Sequence, residues 1–502
     1  MLRIRELISR ALPYLIPLAL VALMGLFSLH TLISIYQDIG RHIRVGQMMW
    51  ETGVIPATNA FSFTVPDFPF VNHHWLGGLA LYGANQLVGL QGIILVKAFL
   101  MMLAFGLALA AAWKPRLAIP SVAIGLASVV TLAERTDARP EVLSFLFLAW
   151  FLFVLYRYPH TRLIWTLPVV LVLWVNTHIY FFMGPFVVLA WWLGELFRSG
   201  KSALQGKRHW ALALLVGGAT LCNPSGWQGA VYPVTMWSNY GYAIVENKSL
   251  FFLRPFGYPM MTSVALGCTI LFTALSFVLN RRHIKKNIDS LILFVATAIF
   301  SLIMIRNFPL LALAALPIFL RNIEQSDWHW NSRQFMVGAI LVLALFGVSV
   351  ATNQVYEQAG MGGRRFGLSV PAGFQEPVDF FRSAGLRGPL FNNFDIGSFL
   401  IWKLPEERVF IDGRPEAYPK EFIQNTYIRM QEDAHAWDIE SERYGINAVF
   451  WNYQDITPWS QEFVARITKD PQWVPVYLDS RIIILVRNAP ENAEVISRYR
   501  VR

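Results

Sequence analysis

The chain has 502 residues, of which 55% are hydrophobic and only 15% charged, and its mean hydropathy is +0.43. Soluble domains carry about 25% charged residues, so the polar cover of a water-facing surface is missing; disordered, collagen-like and disulfide-stapled secreted chains are excluded as well. The formal charge of +10 would suggest nucleic acid in a soluble protein. Here the basic residues gather in short connections between apolar runs, as orientation in a membrane requires, and no nucleic-acid partner is expected.

In chain order, Arg3, Arg5 and Arg10 precede an apolar stretch from Ala11 to Tyr36. That stretch exceeds the roughly 7–15 residues of a cleavable signal core and reads as a first transmembrane helix with its basic end in the cytoplasm. Runs of about 20 apolar residues cross a bilayer. They are expected near Leu12–Tyr36, Gln91–Trp113, Leu117–Leu132, Glu141–Tyr156, Leu163–Val175, Ile179–Phe197, His209–Cys222, Met260–Leu279, Ile288–Ile305, Phe308–Phe319 and Phe335–Val350. With about eleven spans, the basic connections Lys114–Arg116, Arg157–Arg162, Arg198–Arg208 and Arg281–Lys286 all face the cytoplasm, as the charge rule demands. Trp75–Val88 is apolar too, but counting it as a span would turn those loops outward, so it is laid along the outer leaflet.

The expected fold is therefore a polytopic α-helical membrane domain over residues 1–352, with an outer loop at 37–90 carrying interfacial helices. An odd number of spans leaves residues 353–502 on the outer, extracytoplasmic face. This segment is more polar, and strand-like runs (Pro389–Phe391, Val409–Ile411, Ala448–Trp451, Ile482–Val486) alternate with helical ones (Pro377–Ser383, Lys420–Glu432, Trp459–Thr468). The alternation predicts a small α/β domain.

Polar, chemistry-bearing residues collect on the outer side. Asp38 and His42 are four apart and share a face if helical; partial desolvation at a membrane surface strengthens a carboxylate as a base, whereas a helix cap or an ion pair with Arg41 is the plainer role. Asn72-His73-His74-Trp75 opens the interfacial helix. Adjacent histidines point to different faces, which argues against their holding one metal together. Asp38, His42 and one of the two, His74 foremost, could supply oxygen and nitrogen ligands to a divalent metal. The run from Glu134 to Glu141 packs five ionisable residues into eight, and Arg139-Pro140 begins a helix, whose N-terminus favours an anion. Arg306-Asn307 interrupts two apolar spans on the outer side, against the positive-inside tendency, and calls for an anionic partner, with a phosphate preferred over a structural ion pair. Asn176 and His178 lie in a short polar break. Asn223-Pro224 is turn chemistry first and opens a loop that also holds Glu246. No Gly-rich phosphate loop, nucleophile elbow or zinc-protease motif is present.

Taken in order, these residues resemble the GT-C-fold glycosyltransferases that use polyprenyl-phosphate-linked sugars, and within them a poorly characterised bacterial set. The likeness rests on Asp38/His42, Gly53-Val54-Ile55-Pro56, Phe61-Ser62-Phe63-Thr64 and Asn72-His73-His74-Trp75-Leu76. It continues through Arg139-Pro140, Trp174-x-Asn176-x-His178, Asn223-Pro224-x-Gly226 and Arg306-Asn307 to Phe394–Trp402 and Phe410-Ile411-Asp412-Gly413-Arg414. The pattern departs from that set at His74, where an acid is expected, at Asn59, where relatives often have Asp, and in having a single acid after the first span. The resemblance implies a bacterial cytoplasmic-membrane enzyme that passes a sugar from a polyprenyl-phosphate donor to an extracytoplasmic acceptor. In that scheme Asp38 is the general base and Arg139 or Arg306 stabilises the leaving phosphate; His42, His73, His74, Asn176, His178, Glu246 and Asn307 surround the substrate. Its alternative is a lipid-glycan carrier or assembly partner without chemistry.

Overall fold

A computed structural model describes residues 2–36, 38–200, 206–328, 332–361 and 363–501. Gln37 and part of the basic connection at 198–208 lie outside the described residues. The principal helices are α1 (Leu2–Ser28), α2 (Ile39–Thr52), α3 (Trp75–Ala110), α4 (Ala118–Ala133), α5 (Glu141–Arg157), α6 (Thr166–Val175), α7 (Met183–Ser199), α8 (Lys207–Ala219), α9 (Gly226–Asn239), α10 (Met260–Leu279), α11 (Ile288–Ile303), α12 (Phe308–Gln325) and α13 (Arg333–Ala351). Each of the eleven expected spans falls on one of these helices. Among the described residues, seven helical stretches are long and apolar enough to cross a membrane. The chain divides into two compact units: residues 1–32, 88–230 and 244–369 form one, and residues 33–87, 231–243 and 370–502 the other.

The first unit is a helical bundle. Helix α4 packs against α1, α10 and α12, and its small residues allow the approach: a side chain added at Gly125 would stand 2.6 Å from Leu20 Cδ1. Helix α12 is buried along most of its length, with Leu310 to Leu316 fully enclosed. Many polar side chains inside the bundle find partners internally, as an apolar surround favours. Thr131, Thr269 and Thr297 donate to carbonyls one turn back, and Asn280 and Asn287 both donate to Asn322 Oδ1 and Gln325 Oε1. Helix α1 ends at Ser28, short of the expected Tyr36, because the following backbone leaves the helix to pair elsewhere: the amides of Thr31 and Leu32 donate to the carbonyls of Arg365 and Ser369.

The second unit contains a four-stranded sheet of order β1-β2-β4-β3 (β1 Leu390–Asn392, β2 Ala448–Asn452, β3 Trp473–Leu478, β4 Ile482–Arg487). Strands β1 and β2 are parallel, and β4 is antiparallel to both of its neighbours. Its core is aromatic: Phe391 stacks on Trp451 at 5.1 Å and meets Trp437 and Phe463 edge-on. The expected strand at Val409–Ile411 is only a single bridge, from Val409 to Ser62. Strand β3 was not anticipated, because Pro475 interrupts the run; a proline is tolerated there since β3 lies at the sheet edge, and the register shifts beside it.

Helix α3 is broken at Gly89, whose φ of 67° and ψ of −178° only glycine adopts freely. The break falls between the expected interfacial segment Trp75–Val88 and the expected span that follows. Before it, Gly46 of α2 and Gly78 of α3 bring the two backbones together; a Cβ on Gly46 would lie 2.3 Å from the Gly78 carbonyl oxygen. On α2, Gly40 likewise admits the carbonyl of Ser398, from the helix Phe394–Lys403, at 2.7 Å from where a Cβ would stand.

Candidate functional site

Two buried polar centres emerge, one in each unit. In the helical unit, the connection between α4 and α5 carries Arg135, Asp137 and Arg139, and burial forces each to find a partner. Arg135 Nη2 donates to Glu141 Oε2 at 2.8 Å and Arg135 Nη1 lies 2.6 Å from Glu246 Oε1, the same oxygen that Arg139 Nη1 reaches at 2.7 Å. Burial alone would push Glu246 up, but the guanidinium groups of Arg135 and Arg139 outweigh it and hold the carboxyl well below the usual range. Arg306 Nη1 donates to Asn247 Oδ1 at 2.9 Å, and its guanidinium lies 6.0 Å from the centre of the Tyr180 ring, whose hydroxyl donates to the Arg306 carbonyl. The His178 ring meets Tyr180 edge-on at 4.7 Å. Arg139, Glu246, Arg306 and His178 are thus members of one neighbourhood.

Asn176 and Asn307 act differently. Asn176 donates to the carbonyls of Val172 and Cys222, both at 2.7 Å, and Asn307 to that of Phe300 at 3.0 Å. Both amides hold helix ends in place.

Beside this centre runs a network that sequence reasoning missed. Lys97, 3% exposed in α3, donates to His30 Nε2 at 3.1 Å; His30 Nδ1 donates to the Thr31 carbonyl, which fixes the ring tautomer. Asp137 accepts from Arg364 at 3.2 Å and lies 3.9 Å from His30. Burial pushes Asp137 up, and Arg364 and its neighbours more than reverse that, so the carboxyl titrates far below its ordinary value. The missed signal was Lys97 itself: a lone lysine inside an apolar span is expensive and therefore a functional candidate.

In the second unit, Asp38 precedes α2 without capping it and accepts from Arg41 Nε at 3.2 Å, which is the plainer of the two roles expected for it. One turn on, His42 is 5% exposed and its ring lies 5.4 Å from that of His74. The rings of His73 and His74 are only 3.8 Å apart. The expectation placed them on different faces at the opening of the helix; residues 73 and 74 instead form a turn ahead of α3, which brings the rings together. Glu416, from the turn Pro415–Ala417, completes the group: one donor atom each from His73, His74 and Glu416 lie within 4.8 Å of one another. Burial raises the Glu416 carboxyl despite the opposing guanidinium of Arg41. Asp38, His42 and one of the two histidines, His74 foremost, were the expected metal ligands; the group found keeps the histidines and brings in Glu416, which the sequence did not single out.

A cavity of about 20 Å³ is lined by His42, His74, Glu416, Arg41 and Arg414. The Arg414 guanidinium is locked by Asp412, with Nε and Nη2 each 2.7 Å from a carboxylate oxygen, and by Asn59 Oδ1 at 2.7 Å. Asp412-Gly413-Arg414 is therefore a tight turn carrying a buried ion pair.

Fold and buried centres together define a polytopic helical membrane protein with a small α/β sheet unit. No known family profile and no curated protein sequence matches the chain. Among solved structures, it is similar to the archaeal oligosaccharyltransferase AglB from Archaeoglobus fulgidus bound to an inhibitory peptide and a dolichol-phosphate, with a TM-score of 0.58 at 10% identity, covering 91% of this chain and 72% of that one. The apo form of the same oligosaccharyltransferase matches with a TM-score of 0.56. ArnT from Cupriavidus metallidurans in the apo state matches with a TM-score of 0.50 at 12% identity, covering 94% and 97% of the two chains. The fold is of the GT-C type.

Proposed function

We propose that the protein is a membrane glycosyltransferase that moves a sugar from a polyprenyl-phosphate donor to an acceptor hydroxyl or amine outside the cytoplasm of a bacterial cell, with the N-terminus inside. The observation that carries this reading is the buried cluster of Arg135, Arg139 and Arg306 around Glu246. Guanidinium groups withdrawn from water and already engaging an anion suit the phosphate of a lipid-linked donor. The likeness to an oligosaccharyltransferase whose structure holds a dolichol-phosphate supports the donor class.

In the proposed reaction, the acceptor oxygen or nitrogen attacks the anomeric carbon while the bond from that carbon to the phosphate oxygen breaks. The electron pair leaves with the polyprenyl phosphate, whose charge Arg139 and Arg306 stabilise. Asp38 takes the acceptor proton; Arg41 orients the carboxylate through their 3.2 Å contact. His42 and His178 are assigned to substrate binding, and Asn176 and Asn307 position backbone. The second reading, a carrier of lipid-linked glycan, shares the arginines and has no use for Asp38.

Mass spectrometry of lipids co-purifying with the wild type and with Asp38→Asn separates the two. A polyprenyl-phosphate sugar retained by the variant and depleted in the wild type supports turnover, and its mass names the sugar. Equal retention favours the carrier. Absence of any polyprenyl lipid from both folded proteins overturns the reading.

A further inference from the structure

We propose that His73, His74 and Glu416 form a binding site for one divalent transition-metal ion of the zinc class, which clips the turn before α3 to the turn at 415–417. Nothing in the transferase reading requires this site, and its success or failure is independent of Asp38.

Four observations converge on it. Two imidazoles and one carboxylate are the donor set that borderline divalent metals favour, and one donor atom of each already lies within 4.8 Å of the others. Donors around a tetrahedral zinc stand roughly 3.4 Å apart, given bonds of about 2.0–2.2 Å, so small side-chain rotations close the group.

The histidine is also presented in the right form. His73 Nδ1 lies 3.2 Å from the Val71 carbonyl; that oxygen can only accept, so Nδ1 carries the proton and Nε2 keeps its lone pair. A backbone carbonyl on the far nitrogen is the usual support of a metal-bound imidazole. The ring is held from the other side by Tyr232, 4.9 Å away.

Charge and size fit as well. The two arginines at the cavity have carboxylates of their own: Asp412 takes Arg414 with both oxygens, and Asp38 takes Arg41 at 3.2 Å, closer than the 3.8 Å from Arg41 to Glu416. Glu416 lies 3.8 Å from Arg41 Nη1 and feels that charge, so a metal would share this carboxylate with Arg41. The cavity of about 20 Å³ beside His74 and Glu416 has room for a water next to an ion, since a water needs about 10–15 Å³. Three protein ligands leave the fourth position to that water.

The test uses the full chain purified in detergent and stripped with a chelator. Titration with Co²⁺ is expected to give the visible absorption of a four- or five-coordinate site at one equivalent, removed by one equivalent of Zn²⁺. His74→Ala and Glu416→Gln should each weaken Co²⁺ binding by at least about tenfold, while His435→Ala, at an exposed position, changes nothing. Zn²⁺ should raise the unfolding temperature of the wild type and leave that of His74→Ala at the metal-free wild-type value, which also shows that the variant folds. Wild-type protein that takes up no equivalent of Co²⁺, or variants that bind like the wild type, would overturn the site; should a variant misfold, the wild-type titration alone decides.

Discussion

Both units bury arginine–carboxylate pairs, but they assemble them in opposite ways. In the second unit Asp412 and Arg414 are two residues apart and wholly enclosed, and Tyr418 and Asn59 occupy further sites on the two partners. In the helical unit the pairs join Arg135 and Arg139 to Glu246, more than a hundred residues away, and Arg135 also pairs with Glu141. A closed local pair is a structural lock, because both Asp412 oxygens are engaged and Arg414 Nε and Nη2 donate to Asp412 and Asn59. The distributed cluster draws its partners from several connections of the helical unit, Glu134 and Asp137 among them. The local pair holds a turn, whereas the proposed function gives the distributed cluster a binding role.

The sharpest way to break that assignment is Asp38→Asn. If Asp38 is the base, donor turnover followed by mass spectrometry should fall by about 10²–10⁴-fold with the protein still folded. Next comes the lock itself. Asp412→Asn leaves the Arg414 guanidinium buried without its counter-charge, a loss of about 3–5 kcal/mol, read as a large drop in unfolding temperature. Donor retention per folded molecule should stay unchanged; its loss would erase the distinction between lock and binding cluster.

Packing offers a smaller effect. Gly46→Ala drives a methyl into the Gly78 carbonyl and should cost about 1–3 kcal/mol, measured by denaturant unfolding in detergent. The smallest effect concerns pH. Because Glu246 is held below its ordinary value of 4.5, its contribution to stability is present above that pH and is lost as the pH falls further toward the depressed folded value. Unfolding temperature should therefore decline more steeply below pH 4.5 in the wild type than in Glu246→Gln. Parallel curves would mean that Glu246 is not an anchor of the cluster.

Much of the architecture was legible before any coordinates. Apolar runs of bilayer length marked the helices, since a span must satisfy its backbone internally and shows its hydrophobicity all round. Gly89 fell at the junction between interfacial segment and span. Arg139 and Arg306 stood out because a cation beside an apolar span needs an anion. Lys97 was equally exposed to that logic and was passed over. Val409–Ile411 was misjudged because a short apolar run has the same pattern in a strand and in a buried loop.

What the sequence determined alone was whatever depends on neighbours in the chain: the membrane class and the helical segments. The tertiary structure decided the rest. The union of residues 33–87 with 370–502 in one compact unit, the meeting of His73 and His74 with Glu416, and the gathering of Arg135 and Arg139 on Glu246 all join residues far apart in the chain. No periodicity records such pairings, because their partners are chosen by the packing of whole helices and by the cost of burying a charge alone.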